Sequence, residues 1–296
     1  MTRLPRTALA GATLALCCLG AQAVTLVGLT SANQLAHINT ANIGAATTTT
    51  ATTTTAITGL AAGDRLVGID LRPGDGKLYS VSLSNKIYTL DELSGAATFV
   101  AALSSPVVNA ALGYGIDFNP VADFAGGSSL RLVSSAGSNF AINAGTGVVG
   151  NIASNIGSGY TGVAYSNAAI RPSMAPAGTA LYYINATTDQ LMMAPGAFNN
   201  PTIVPVGALG VDALKANGFE ITADGMAYAA LNLDDGSSLT SGLYRINLST
   251  GAASLLGQYN GTLSGLTVSA VPEPQSLALM FAGLAALGGL ARRRKA

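Results

Sequence analysis

The sequence predicts an all-β fold, a β-propeller of five four-stranded blades, and three observations lead to this prediction. The first is a glycine in a phrase of the type LVGIDL, which recurs at intervals of 47, 47, 56 and 47 residues. A period of about 40–50 residues is typical of propeller blades. A pair of β-sandwiches is the alternative, but it does not explain a fixed period. The five copies are Gly68, Gly115, Gly162, Gly218 and Gly265.

The second observation is that each unit contains four short strand-like segments separated by turns. In the unit that begins at Leu66 these segments are LVGIDL, KLYSVS, KIYTLD and AATFVAAL. The separators RPGDG, LSN and ELSG carry the residues that turns favour. Tyr88 and Leu90 alternate with Thr89 and Asp91, which is the period of two expected of a strand with two unlike faces.

The third observation is that the two ends of the repeat region complete each other. After residue 23 come TLVGLT, QLAHIN and AATTTTATTTTAITGL, which correspond to the second, third and fourth strands of a unit. The missing first strand is present at the far end as TLSGLTVS. We therefore expect a composite blade that joins both ends and leaves only short sheet edges. The fourth unit is nine residues longer than the others, and its strands are less distinct.

The first 23 residues have the parts of a secretory signal peptide. Arg3 and Arg6 precede an apolar stretch that begins at Ala8, and Ala21-Gln22-Ala23 forms an A-x-A cleavage site. We expect signal peptidase to cut after Ala23 and the rest of the chain to be exported across the inner membrane.

The last 26 residues combine a polar motif, an apolar run and a basic cluster. Sixteen residues without a charge extend from Ser276 to Ala291, a helical length of roughly 24 Å that could only marginally span a hydrocarbon core of about 30 Å. Lys and Arg beside an apolar segment stay on the cytoplasmic side, which predicts a cytoplasmic tail and an exported body. The basic tail consists of Arg292, Arg293, Arg294 and Lys295.

With Pro272-Glu273-Pro274 in front of it, this tail resembles the PEP-CTERM sorting signal of Gram-negative bacteria. The resemblance implies that an exosortase, a membrane cysteine protease, recognises Pro272, Glu273 and Pro274 and removes the apolar segment. A retained C-terminal membrane anchor is the alternative. It predicts the same topology but does not explain the Pro-Glu-Pro motif. The two prolines keep this stretch extended, which suits a protease cleft.

The body between the two ends resembles an uncharacterised bacterial family that carries a domain of unknown function. The residues that carry this resemblance are GIDLRP, GIDFNP, PVGALGVD and YRINLSTGAASLLG. The resemblance implies a secreted propeller-like domain and no established activity. We therefore divide the chain into a signal peptide (1–23), a propeller domain (24–270) and a sorting signal (271–296).

Composition narrows the possible functions of the body. Without the two end segments it holds 8 basic and 13 acidic residues, a net charge of about −5. We do not expect nucleic-acid binding, because phosphate contacts need clustered Lys and Arg. Both cysteines, Cys17 and Cys18, lie in the signal peptide. The mature body can therefore hold no disulfide, thiolate metal site or Cys nucleophile.

The repeat predicts one candidate metal site. Two residues after the repeat glycines stand Asp70, Asp117 and Glu220, and in the other two units Ala164 and Thr267. If the first strand of each blade is the innermost, the three carboxylates converge in the channel, where they would repel unless protons or a cation neutralised them. Such oxygen ligands suit Ca²⁺ or Mg²⁺. The alternative is that each acid binds backbone groups of the following turn.

Two other features of the sequence do not indicate a catalytic or cofactor-binding site. His37 is the only histidine, and we expect it to face solvent on a strand of the composite blade, outside any Ser-His-Asp triad. GSGYTG at 157–162 fits a dinucleotide-binding pattern, but a strand rather than a helix follows it.

We therefore expect a non-enzymatic binding or structural protein of the cell envelope or extracellular matrix, with extracellular polysaccharide as a possible partner. A metal-dependent, lactonase-like propeller hydrolase that uses Asp70, Asp117 and Glu220 is the alternative. A surface protein anchored in the inner membrane by its retained C-terminal helix is a third hypothesis.

Overall fold

The computed structural model describes residues 24–40, 43, 52–127, 129–214, 217–234 and 239–271. Twenty strands in these residues form five separate four-stranded antiparallel sheets, and the predicted five-bladed propeller is confirmed. The signal peptide, the Pro-Glu-Pro motif, the apolar run Ser276–Ala291 and the basic tail lie outside the described residues. Within the described part of the chain, no helix combines the length and apolar character that a membrane crossing requires.

In four blades the strands follow one another along the chain. The second blade consists of β4 (Leu66–Leu71), β5 (Leu78–Ser82), β6 (Lys86–Leu90) and β7 (Ala97–Ala102). The third consists of β8 (Tyr114–Phe118), β9 (Leu130–Ser134), β10 (Asn139–Ile142) and β11 (Val149–Gly150), with a short helix α1 (Pro120–Phe124) between β8 and β9. The fourth consists of β12 (Tyr160–Tyr165), β13 (Leu181–Asn185), β14 (Gln190–Ala194) and β15 (Val204–Ala208). The fifth consists of β16 (Asn217–Ile221), β17 (Ala227–Asp234), β18 (Leu239–Ile246) and β19 (Ala253–Tyr259).

The first blade is composite, as the sequence predicts. Its order is β20 (Leu263–Val268), β1 (Thr25–Thr30), β2 (Gln34–Asn39) and β3 (Thr52–Ala56). Strand β20 pairs antiparallel with β1, and the pairs Leu26↔Val268 and Gly28↔Leu266 fix the register. Because β20 supplies the innermost strand, the last part of the body closes the ring onto the first.

Burial decreases from the channel to the rim of each blade. Every residue of β8 is buried, whereas most residues of β7 and β15 are partly or fully exposed. An innermost strand packs against the neighbouring blades on both faces, which explains why LVGIDL and YGIDF are nearly continuous apolar runs. The Thr-rich β3 is an outermost strand, where a polar β-branched side chain can face water.

The repeat glycines allow the innermost strands to approach one another. A Cβ at Gly115 would lie 2.9 Å from Val163 N of the next blade, and one at Gly218 would lie 2.6 Å from the backbone of Gly265. Real Cβ atoms do not come this close to backbone atoms. At these two positions the glycine of the repeat is therefore a steric requirement of the channel wall.

The innermost strands all finish at the same end of the channel, which we call the exit end because the chain leaves the propeller there after β20. The antiparallel pairing places the loops after the first and third strands of each blade at this end. The extra length of the fourth unit lies here, in the 166–180 loop between β12 and β13. This loop extends to the second blade, where Arg171 N donates to Pro73 O at 2.7 Å.

A buried carboxylate cluster at the exit end

Three acidic side chains from three blades meet in the channel near its exit end. Asp70 lies on β4, Asp117 on β8 and Glu220 on β16, each two residues after the repeat glycine. All three are buried, and one carboxylate oxygen of each lies within 4.8 Å of the other two. Ala164 on β12 and Thr267 on β20 occupy the same position in the other blades. The structure thus brings together the side chains that the repeat predicts.

Each acid accepts a hydrogen bond from a backbone amide of the next blade. The donor is always the residue three positions after the repeat glycine, so the contact recurs around the channel. The pairs are Phe118 N with Asp70 Oδ2 (2.7 Å), Tyr165 N with Asp117 Oδ1 (3.1 Å) and Val268 N with Glu220 Oε2 (3.3 Å). These bonds join adjacent blades. The sequence analysis gave as the alternative that each acid binds the backbone that directly follows it. Asp70 makes such a bond as well, since Leu71 N donates to its Oδ1 at 2.7 Å.

Thr267 connects two of the acids. Its hydroxyl lies 3.0 Å from Asp70 Oδ1 and 2.8 Å from Glu220 Oε2, and Leu71 N donates to it at 3.1 Å. A hydroxyl carries one proton and can donate to only one carboxylate at a time. Both contacts are satisfied when one of the two carboxyls is protonated and donates to Thr267 Oγ1.

The electrostatics favour protonation of the cluster. Burial raises the pKa of Asp70 to about 7 and the pKa of Glu220 to about 8, and the amide and Thr267 hydrogen bonds oppose this rise only in part. Burial, together with the charges of Asp70 and Glu220, also holds the pKa of Asp117 well above its ordinary value. At neutral pH the cluster therefore carries fewer than three negative charges unless a cation binds.

The oxygens of the cluster are close enough to share one cation. Ca²⁺ binds oxygen at about 2.3–2.6 Å, so two ligands of one ion lie at most about 5 Å apart, and the three carboxylates offer oxygens within 4.8 Å of one another. Mg²⁺ also prefers oxygen ligands and binds them at about 2.0–2.1 Å. Asp70, Asp117 and Glu220 would be the charged ligands, with Thr267 beside them. A metal at these residues stays a prediction.

His37 does not face solvent, and that expectation is wrong. Its side chain is 17% exposed, and Nδ1 lies 3.6 Å from Oε1 of Glu92, which belongs to the loop after β6 in the second blade. Glu92 also accepts hydrogen bonds from Ser269 Oγ and, at 3.0 Å, from Ala270 N. Glu92 thus holds the chain against the second blade just before the sorting signal begins. His37 lies beside this contact and away from the carboxylate cluster.

The body matches a domain of unknown function, DUF4394, over residues 42–267. The chain belongs to the DUF4394 family. A PEP-CTERM protein-sorting motif matches residues 270–295, which confirms the resemblance of the tail and indicates export and sorting to the cell envelope. The DUF4394 domain thus ends where the sorting signal begins. No curated protein matches the chain.

Among solved structures the DUF4394 domain is similar to distant proteins. A calcium-binding protein, regucalcin from Agrobacterium tumefaciens, is 16% identical, with a TM-score of 0.41 over 78% of this chain and 68% of that chain. A candidate 6-phosphogluconolactonase from Bacteroides fragilis is 12% identical, with a TM-score of 0.39 over 80% and 82%. One from Bacteroides uniformis is 10% identical, with a TM-score of 0.35 over 80% and 83%. Likenesses this distant carry no argument about the function of the DUF4394 domain.

The sequence did not indicate two polar features of the DUF4394 domain. At the exit end, Arg72 Nε donates to Asp123 Oδ1 at 2.7 Å and joins the second blade to α1 of the third. Between the third and fourth blades, Arg131 lies buried beside a groove. Both arginines contact residues more than 50 positions away in the sequence, and these contacts cannot be seen in local sequence patterns.

Proposed function

We propose that this protein is a non-enzymatic binding or structural propeller of the cell envelope or the extracellular polysaccharide matrix, delivered by export and exosortase processing. The observation that carries the proposal is the direct junction of a closed propeller and a sorting signal. Strand β20 ends at Val268 and the sorting motif begins at residue 270. Processing in this region would leave all five blades intact, because all twenty strands of the described residues lie before it.

The contacts of the carboxylate cluster support a structural role. Each of the three acids accepts an amide hydrogen bond from the neighbouring blade. The chain holds one histidine, and it lies beside Glu92. Histidine and acidic residues commonly serve as general bases in enzymes. Here the three clustered acids are engaged in contacts between blades, and the histidine lies outside their cluster.

The sorting step is tested by changing the Pro-Glu-Pro motif in the native host. Replacing Pro272, Glu273 and Pro274 together by alanine should leave the protein in the membrane fraction, while the wild-type protein reaches the cell surface or the medium. Pro195→Ala is the matched control, because this exposed proline lies in a loop far from the motif in sequence. The proposal fails if the wild-type protein stays in the cytoplasm, or if the triple variant distributes like the wild type.

A metal-dependent hydrolase is the second candidate, and the spacing of Asp70, Asp117 and Glu220 favours it. Equilibrium dialysis with Ca²⁺ at pH 8 should then show one bound ion, and binding should raise the melting temperature by mass action. Asp117→Asn should abolish both effects, and lactone substrates should be hydrolysed only by the calcium-loaded wild type. Absence of bound Ca²⁺, with the same melting temperature in chelator, would remove this candidate.

A further inference from the structure

The groove between the third and fourth blades has a buried cation in its wall. Arg131 on β9 is only 5% exposed, yet among the described residues no carboxylate lies within ion-pairing distance of it. Its three described partners are all neutral: Tyr165 Oη (3.2 Å), Asn139 Oδ1 (3.1 Å) and Asn199 Oδ1 (3.0 Å). Asp117 of the carboxylate cluster stands opposite Arg131 across the β8–β9 pair, but it does not come within ion-pairing distance. Burial of a charge is expensive unless it is directly paired with an opposite charge.

The guanidinium retains hydrogen-bonding capacity. Arginine has five N–H donors, and the described contacts use three of them. Arg131 is among the residues that line an open groove of about 630 Å³, so the remaining two donors are those left for a ligand in the groove. A volume of this size is in the range of small-molecule sites. A planar anion with two oxygens is the natural partner of a guanidinium.

The other walls of the groove suit a sugar ring. Asn199 and Asn200 are exposed at its edge, and amide side chains can donate to and accept from hydroxyl groups. Phe198 and Val148 add apolar surface, which can cover the non-polar face of a pyranose. The groove therefore combines one buried cation, adaptable amides and an apolar patch.

We propose that this groove binds an acidic saccharide through a carboxylate, with Arg131 as the residue that recognises the charge. The proposal deepens the proposed function, on which it rests for the matrix polysaccharide that would supply such a ligand. The residues that form the site come from the third blade and from the 195–203 loop of the fourth. Arg131 also holds this loop through Asn199, so the ligand and the loop share one anchor.

Isothermal titration calorimetry of the full chain tests the proposal with oligogalacturonate and its methyl ester. The two oligomers have the same rings and differ in charge. The acid form should bind at least tenfold more tightly, and its affinity should fall as sodium chloride is added. Equal affinity for both oligomers, or no binding of either, would overturn the proposal. This result does not depend on localisation, so its failure is distinguishable from a failure of the proposed function.

Two variants test whether the ligand binds in this groove. Arg131→Met should abolish binding of the acid oligomer. Because Arg131 also supports the loop, a second variant leaves the interior untouched: Val148→Glu adds a negative charge at a rim residue that is 54% exposed, and should weaken binding at least fivefold. Leu255→Glu is the matched control on the outermost strand of the fifth blade, where the side chain is 39% exposed, and it should bind as the wild type does. Equal affinity of the Val148→Glu and Leu255→Glu variants would place the ligand elsewhere and contradict the proposal.

Discussion

At the scale of single residues, the carboxylate cluster contributes to the fold and also limits its stability. Asp117 accepts one amide hydrogen bond from the next blade, and this bond holds two blades together. The same side chain is buried beside two other acids, so its ionised form is unfavourable. An asparagine has nearly the same shape and can accept the same hydrogen bond without the charge.

Asp117→Asn should therefore stabilise the protein at alkaline pH. The raised pKa values of Asp70 (about 7) and Glu220 (about 8) mean that the folded state holds protons more tightly than the unfolded state. Stability is then fully present below about pH 4 and is lost as pH rises through 7 to 8. Burial and the neighbouring acids also raise the pKa of Asp117, so in chelator at pH 8 we expect the variant to be more stable than the wild type, and the two to converge near pH 4.

Urea unfolding at a series of pH values measures this difference. Asp212→Asn is the control, because Asp212 is exposed, and this variant should follow the wild type throughout. A variant at Asp117 that is less stable than the wild type at pH 8 in chelator would show that the ionised carboxylate is required for the fold.

The repeat glycines predict a second effect at this scale. In Gly218→Ala the new Cβ would lie 2.6 Å from the backbone of the first blade, so two innermost strands must separate. We expect a loss of about 1–3 kcal/mol or more. Gly196→Ala is the matched control, since a Cβ there meets nothing within 4 Å. Thermal unfolding compares the two, and equal melting temperatures would contradict the steric role of the repeat glycine.

At the scale of elements, the 166–180 loop is the feature that distinguishes the fourth blade. It reaches the second blade, and besides its backbone contact Arg171 donates to Asp75 O from Nε at 3.2 Å and from Nη2 at 3.0 Å. Few of its residues are buried. A loop with so little buried surface depends on a few hydrogen bonds for its position.

Arg171→Ala should therefore free the loop with little effect on the fold. We expect faster amide hydrogen exchange in residues 166–180 and a loss of at most about 1 kcal/mol in global stability. Lys77→Ala, which removes an exposed cation from the second-blade loop that Arg171 contacts, is the control and should leave exchange unchanged. Unaltered exchange in the Arg171→Ala variant would mean that other contacts position the loop.

The strands could be predicted at this scale because their signals are local. LVGIDL was expected as the innermost strand of its blade, and β4 is Leu66–Leu71. The sequence shows that the fourth unit is nine residues longer than the others, but nothing in it indicates that these residues lengthen the loop after β12. The misplacement of His37 has a similar cause. A strand pattern shows which face a side chain occupies, but not that Glu92 of another blade lies against that face.

The two candidate sites also differ in how far the sequence could predict them. The repeat aligned Asp70, Asp117 and Glu220, because residues at equivalent positions of innermost strands must converge on one axis. Arg131 occupies a repeat position that holds a tyrosine in three other blades, where Tyr79, Tyr182 and Tyr228 stand opposite the residues equivalent to Asp117. Its hydrogen-bond partner Asn199 lies 68 residues away in the sequence. Such a groove depends on how a loop of one blade lies on the next, which local patterns do not encode.

At the scale of the whole molecule, the chain order joins the fold to its delivery. The innermost strand of the first blade is also the last described strand before the sorting signal, so the propeller closes only when β20 pairs with β1. Glu92 then holds Ser269 and Ala270 at the exit end. We therefore expect a fully folded propeller that presents its sorting signal from one end.

The most direct test of this account is the intact mass of the protein from its native host, measured separately in the membrane and in the medium. We predict a product outside the cell that begins at Val24 and ends near Pro272-Glu273-Pro274. A membrane-bound protein that still carries Arg292 to Lys295, with none released, would contradict processing and identify the tail as a permanent anchor.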